Sequence, residues 1–136
     1  INRLLEDAGF DDIDGKDILT PDHVVKIDDY ADRLSVIMGS CFLDKHGKIA
    51  SEHVCILIRG NLVLSFSEKN DSLFSIVEES LEDNVKNIRQ KKSGMLLAFM
   101  LNAVFGQLIE TALYIEDTLE KLEKQLLDTN PDNPNT

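Results

Sequence analysis

A long apolar seam near the end of the chain restricts the fold more than any other feature of the sequence. Its residues step by 4, 3, 4, 3, 4, 3 and 4, and they are Leu101, Phe105, Leu108, Ala112, Ile115, Leu119, Leu122 and Leu126. This spacing predicts one long helix with a continuous a/d seam. The first half of the helix is apolar on nearly every face, so we expect it to be buried against a sheet. The second half is apolar only along the seam, so we expect another helix, beyond this segment or from another chain, to cover it.

The charge balance restricts the partners of the chain. Fourteen Lys and Arg against 25 Asp and Glu give a formal charge of −11 over 136 residues. Nucleic acids and anionic membranes are bound through clustered Lys and Arg, so the charge argues against both as direct partners. An acidic surface attracts cations instead, although most acidic proteins do nothing specific with that attraction.

The apolar segments are too short to predict a membrane span. The longest stretch runs from Met95 to Phe105 and has Asn102 as its only polar residue. A span needs about 20 apolar residues, so we interpret this stretch as a buried helix segment. The chain begins inside what reads as a helix, so we expect it to be a fragment of a larger protein. Cys41 and Cys55 are too few for a disulfide framework, which favours a reducing compartment.

Strand-like segments between residues 33 and 67 predict a sheet. An alternating run after Arg33, a β-branched run from His53 to Ile58 and a third run from Leu62 to Phe66 are separated by turn sequences. Gly60-Asn61 is typical of a two-residue hairpin turn, so we expect a three-stranded antiparallel meander over residues 33–67. Three strands make an incomplete sheet, so we also expect further strands before Ile1.

Helices are predicted before and after the meander. Residues 1–31 are assigned to short helices and residues 71–128 to two longer ones. The first of these begins at Asn70 or Asp71, and its inward-facing residues are Leu73, Ile76, Val77 and Leu81. The fold class is therefore α/β (α+β), an antiparallel or mixed sheet flanked by helices. Residues 1–128 form one partial soluble domain, and the Pro- and Asn-rich residues 129–136 form a flexible interhelical loop or tail.

No motif for catalysis is present in the sequence. Gly60 stands alone, no phosphate-binding loop of the GxxxxGK[ST] type occurs, and no serine lies in a nucleophile elbow. We therefore expect the chain not to be an enzyme. A zinc site of Cys41, His53 and Cys55 would lack a fourth ligand at the usual spacing. Cysteines on strands are more often small core residues, and we interpret these two in that way.

A series of short motifs follows a recognisable order along the chain. They are Lys16-Asp17-Ile18-Leu19, His23 to Tyr30, the strand pair from His53 to Glu68 with its terminal Phe-x-Glu, Asp71-x-x-Phe74, the basic Ile88 to Lys92, Met95 to Val104, and the alternating Ile115-Glu116-Asp117 and Leu119 to Glu123. In this order and spacing they resemble the CorA family of divalent metal-ion transporters. Each motif is weak alone, and their arrangement carries the resemblance.

The resemblance implies the α/β/α cytoplasmic domain of a homopentameric Mg²⁺ transporter. Its two membrane helices, with a Gly-Met-Asn signature, would lie outside this chain, and this domain would stand at the cytoplasmic face of the inner (cell) membrane. In the family, intracellular Mg²⁺ binds carboxylates between neighbouring domains and holds the channel closed. The resemblance places Asp17 among those carboxylates, whereas Lys16 and Asn102 stand where the family commonly has acids. It therefore implies a weak, regulatory Mg²⁺ site in the full-length oligomer and no tightly bound ion in this chain.

The leading hypothesis is a regulatory, ion-sensing domain of a CorA-like magnesium transporter, and two alternatives remain open. One is the same domain of a zinc or cobalt transporter of the superfamily, because only the pore would separate the two. The other is a soluble interaction module that self-associates through the seam of the last helix.

Overall fold

Eight helices and strands make up the described part of the chain. A computed structural model describes residues 1–13, 15–19, 25–83 and 92–128. Its elements are α1 (Asn2–Asp7), α2 (Gly15–Leu19), β1 (Val25–Tyr30), β2 (Arg33–Leu43), β3 (Ile49–Arg59), β4 (Leu62–Ser67), α3 (Ser75–Asp83) and α4 (Ser93–Asp128). The predicted tail at residues 129–136 and residues 88–91 of the basic motif lie outside the described residues.

The four strands form one antiparallel sheet in the order β1-β2-β3-β4. β2 and β3 are the longest, and all 11 residues of each pair with the other. The turn between β3 and β4 lies at Gly60, whose φ of 58° is a backbone conformation that favours glycine. This turn confirms the hairpin that Gly60-Asn61 predicts.

Helices cover both faces of the sheet. Side chains alternate along a strand, so successive residues of β3 face opposite sides. The side that packs on α3 and α4 is called the α4 face, and its buried residues are Val36, Met38, Val54, Ile56 and Ile58. The side that packs on the first residues of the chain is called the α1 face, and its buried residues are Ile37, Cys55 and Leu57. These three layers confirm the predicted fold class.

The strand β1 corrects the prediction that residues 1–31 form short helices. Val25–Tyr30 pairs with β2, so the sheet has four strands rather than the three of the predicted meander. β1 lies at an edge of the sheet, where five of its six residues are exposed, so no buried alternation marks it in the sequence. Its pairing with β2 is a tertiary contact, which strand propensity reports poorly.

The first half of α4 is less buried than its composition predicts. Met100, Val104 and Thr111 are the buried residues of this 36-residue helix, and Phe105 of the seam is 51% exposed. A helix that lies on a sheet contacts it with one stripe, so the predicted packing of this half against the sheet is confirmed for that stripe, while its other apolar faces are exposed. Most of the seam from Phe105 onward is exposed.

The helix α3 begins later than predicted. A turn precedes Ser75, and Leu73 is already buried within that turn. Val77 is buried and Leu81 is half-buried, as expected, whereas Ile76 is 69% exposed. The inward stripe follows steps of four residues, and Ile76 lies about 100° around the helix from Val77.

By length and composition alone, α4 meets the requirements of a membrane-crossing helix, and it is the one helix within the described ranges that does so. A mostly buried core helix meets the same requirements, and 17% of the apolar stretch of α4 is buried within the described structure. Here, Met100 and Val104 of α4 pack into the buried cluster on the α4 face.

Candidate cation-binding surface

The helix that carries Asp17 is anchored to the α1 face of the sheet. Phe10 and Ile18 are buried in the same cluster as residues of β3. The backbone N–H of Gly15, at the start of α2, donates a hydrogen bond to Oδ1 of Asn2 over 2.8 Å, which ties α2 to α1. The backbone around Asp17 therefore has a defined place on this face.

Asp17, the one predicted ion ligand, and the two positions where the family commonly has acids separate into two layers. Asp17 and the exposed Lys16 lie in α2, on the α1 face, and the carboxylate of Asp17 is outside the described part of the structure. Asn102 lies in α4, on the other side of the sheet, and its side chain is exposed. Packed layers lie about 10 Å apart, which places α2 and α4 roughly 20 Å apart across the sheet. Because Mg²⁺ holds its ligands at about 2 Å, a single chain does not bring Asp17 and Asn102 to one ion.

No group of three His, Cys, Asp or Glu side chains able to hold a metal ion occurs among the described residues. The strand register places Cys41 opposite Ser51 and His53 opposite Gly39. Burial raises the pKa of the Cys55 thiol from its ordinary value of 9.0 to about 12. Cys55 is 1% exposed within the apolar cluster of the α1 face, which agrees with its interpretation as a small core residue.

We expect Cys41 to react with a thiol reagent long before Cys55 in the native protein. The thiolate is the reactive form, and at pH 8 a pKa of about 12 leaves about one Cys55 thiol in 10,000 ionised. Cys41 is only half-buried, so a reagent reaches it more readily than the buried Cys55. Labelling with iodoacetamide followed by mass spectrometry measures both sites, and labelling in guanidinium chloride is the control in which both react. Equal labelling of the native protein would contradict the burial of Cys55.

A buried carboxylate that was not predicted from the sequence lies on the α4 face. Glu52 is 2% exposed, and its Oε2 accepts hydrogen bonds from Ser67 Oγ, Lys69 N and Asn70 N over 2.8, 3.0 and 3.1 Å. Its Oε1 has no hydrogen-bond partner within the described structure. Glu52 precedes the apolar residue Val54 by two positions, so both side chains lie on the same face of β3. An acidic residue at such a position is the sequence signal that would have identified it.

Polar side chains fasten α4 to β2 and to the turn that follows it. Three side chains of α4 donate hydrogen bonds: Gln107 to Ser40 Oγ (3.0 Å), Thr111 to the carbonyl of Cys41 (3.1 Å) and Tyr114 to the carbonyl of Gly47 (3.2 Å). Oε1 of Gln107 also accepts from Asn70 Nδ2, which links this row to the residues around Glu52. The row fixes the position of α4 along the hairpin.

A groove of about 1000 Å³ lies between α3, α4 and the β2–β3 hairpin. Its lining mixes apolar side chains such as Phe42 and Phe99 with polar ones such as Asn102 and Glu110. This mixture indicates no particular class of ligand.

Known proteins resemble the chain in sequence and in fold. The chain matches the family model of the CorA-like Mg²⁺ transporter protein over residues 1–135. The cobalt/magnesium transport protein CorA of Thermotoga maritima is 26% identical over 129 residues, a match that covers 94% of this chain and 37% of the relative. The chain therefore spans little more than a third of the length of that relative.

A solved structure, the soluble domain of CorA from Methanocaldococcus jannaschii, has the same fold. The TM-score is 0.75 at 20% sequence identity, and the match covers 93% of this chain and 50% of that chain. Because the family model covers nearly the whole sequence, this chain belongs to the CorA-like Mg²⁺ transporter family.

Proposed function

We propose that this chain is the ion-sensing, regulatory domain of a CorA-like magnesium transporter. Membership of the family supports Mg²⁺ transport by the full-length protein. The likeness of fold to the soluble domain of a CorA protein supports a position at the cytoplasmic face of the cell membrane, with the membrane-spanning part outside this chain. A domain of this kind binds an ion without changing it chemically, so the proposal requires no enzymatic activity.

The separation of Asp17 from Asn102 is the observation that carries the proposal. The two lie in layers on opposite sides of the sheet, so one chain does not complete a site between them. Mg²⁺ usually keeps several of its waters and binds through one or two carboxylates. Asp17 of one subunit and a group of its neighbour would then hold a hydrated Mg²⁺ weakly at the interface of a homopentamer.

The net charge of the chain produces an electrostatic repulsion between neighbouring subunits, and an ion bound between them would reduce it. Each copy of the chain carries a formal charge of −11, so neighbouring copies repel each other. Divalent cations held between the copies reduce this repulsion and favour the packed assembly. When intracellular Mg²⁺ falls, loss of these ions shifts the population towards the assembly with separated domains, which is the open channel in this proposal.

Replacing Asp17 by Ala is expected to weaken Mg²⁺ binding by the full-length protein. Isothermal titration calorimetry should give a roughly millimolar dissociation constant for the wild type and a much reduced heat for the variant. Asp11→Ala is the matched control, because it removes the same charge from an exposed position in the same layer. Equal heats for Asp17→Ala and the wild type would remove Asp17 from the site.

A cobalt or zinc transporter of the same superfamily is the second candidate. The name of the Thermotoga maritima relative joins cobalt to magnesium, which favours cobalt as a further transported ion. Uptake of Mg²⁺, Co²⁺ and Zn²⁺ by the full-length protein in vesicles separates these candidates. Uptake of Co²⁺ or Zn²⁺ without Mg²⁺ would contradict the leading proposal.

A soluble interaction module is the third candidate, and the exposed seam of α4 favours it. Leu119, Leu122 and Leu126 are each at least half exposed, so the helix presents an apolar stripe to a partner. Analytical ultracentrifugation of this chain tests self-association through the stripe. A stable dimer that ignores Mg²⁺ at about millimolar concentration would favour this candidate.

A further inference from the structure

Two arginines at one end of the sheet hold the loop between α1 and α2. Arg33 of β2 and Arg59 of β3 lie directly opposite each other in the register. Arg33 donates from Nη1 and Nη2 to the two carboxylate oxygens of Asp12, over 2.5 and 2.6 Å. Arg59 donates from Nη1 to the carbonyl oxygen of Gly9 over 2.9 Å. Both contacts fall on the loop that leads into α2.

The surroundings of these arginines fix their orientation. Two like charges directly opposite each other in a sheet are unfavourable without partners. Asp32 lies 3.5 Å from Nε of Arg59, and the ring centre of Tyr30 lies 4.8 Å from the guanidinium carbon of Arg33. Stacking on an aromatic ring holds the planar guanidinium so that its two nitrogens face one carboxylate. A Cβ at Gly9 would collide with the Arg59 guanidinium, so the loop also fits closely around this side chain.

The Arg33–Asp12 contact determines geometry more than stability. The Asp12 side chain is 48% exposed, and partly exposed ion pairs contribute little to the free energy of unfolding. A two-pronged pair nevertheless fixes the relative orientation of its two residues. Asp12 stands between the buried Phe10 and the start of α2. The contact therefore fixes the loop at a point between the buried side chains of Phe10 and Ile18.

We propose that Arg33 is a positioning residue for the cation site at Asp17. Through Asp12 it holds the loop that leads into α2, and with it the backbone position of Asp17. Loss of the pair leaves the loop held by Phe10 and the Arg59–Gly9 hydrogen bond, and α2 held by Ile18 and the Asn2–Gly15 hydrogen bond. The part of the loop next to α2, and with it the orientation of α2, then becomes less restricted. This inference rests on the proposed function, in which Asp17 binds Mg²⁺.

Mg²⁺ titration of the full-length protein tests this role. Arg33→Gln and Asp12→Asn should each weaken Mg²⁺ binding about tenfold, at the lower end of what loss of a supporting contact costs a metal site. Arg33→Lys keeps the positive charge but loses the paired N–H donors that match a carboxylate, so its Mg²⁺ affinity should lie between those of Arg33→Gln and the wild type. Lys48→Gln removes one positive charge from the turn at the opposite end of the sheet and should leave the affinity unchanged.

Hydrogen exchange separates positioning from loss of the fold. In Arg33→Gln, amides of residues 1–19 should exchange faster while those of β3 keep their protection. Faster exchange in β3 as well would mean that the whole fold is loosened, and the positioning role would be overturned. If Arg33→Gln does not fold, the same hydrogen-exchange comparison is made with Asp12→Asn and Arg33→Lys.

The calorimetric result also distinguishes this inference from the proposed function. If Asp17→Ala weakens Mg²⁺ binding but Arg33→Gln and Asp12→Asn do not, the positioning role is wrong and the proposed site stands. If none of the three variants changes the affinity, the Mg²⁺ site at Asp17 fails and the inference fails with it.

Discussion

Replacing Phe10 by Ala is expected to lower the free energy of unfolding by about 3–5 kcal/mol. Phe10 is completely buried between the first residues of the chain and the sheet, in one cluster with Leu5 and Ile18. Its removal leaves a cavity in a layer made of two short helices, which have few other apolar contacts to compensate. Chemical denaturation followed by circular dichroism measures the loss.

Phe105→Ala is the matched control for this prediction. Phe105 is also a phenylalanine, but it is 51% exposed on the seam of α4, so its replacement should change the free energy of unfolding by less than about 0.5 kcal/mol. Equal losses for the two variants would contradict the packing of α1 and α2 on the sheet.

Replacing Glu52 by Ala is expected to lower the free energy of unfolding by about 1–3 kcal/mol. Its Oε2 accepts three hydrogen bonds, and two of the donors are the backbone N–H groups of Lys69 and Asn70. Without the carboxylate these donors have no acceptor in a part-buried place. Because the side chain of Asn70 also donates a hydrogen bond to Gln107, we expect the packing of α4 against the hairpin to weaken.

The variant Glu52→Gln separates the hydrogen bonds from the charge. Gln keeps one oxygen that can accept the same three donors, so it should lose less stability than Ala. Glu68→Ala, at an exposed position near the same loop, should change the free energy of unfolding by less than about 0.5 kcal/mol. Denaturation midpoints that are the same for Glu52→Ala and Glu68→Ala would show that the buried carboxylate does not stabilise the loop.

The elements that depend on local spacing could be predicted from the sequence. The spacing of the seam repeats over many turns and predicts the long helix α4, and Gly60-Asn61 predicts the turn between β3 and β4, so these two elements are confirmed. The strand β1 could not be predicted in the same way, because its edge position leaves it exposed and its hydrogen bonds come from β2.

Long-range contacts explain most of what the sequence did not indicate about the site. Arg33 and Asp12 are 21 residues apart, and neither has a local pattern that names the other. Spacing along β3 places Glu52 on the face of Val54, but the groups that hydrogen-bond to its carboxylate lie 15 to 18 residues further along the chain, where no local pattern indicates them. Asp17 came from family resemblance alone, because one aspartate in a five-residue helix has no distinguishing physical pattern. Its role as a ligand stays a prediction.

The row of hydrogen bonds holds α4 on the hairpin, and a small tilt of the helix there is amplified towards its C-terminal end. Tyr114 is the outermost of the three side chains that bond to the hairpin, and the helix continues from there to Asp128. At 1.5 Å per residue this arm is about 20 Å long, so a tilt of about 10° at Tyr114 moves its end by about 3–4 Å. That displacement exceeds the length of a hydrogen bond. Contacts made at the tip would therefore respond to tilts that hardly change the packing on the sheet.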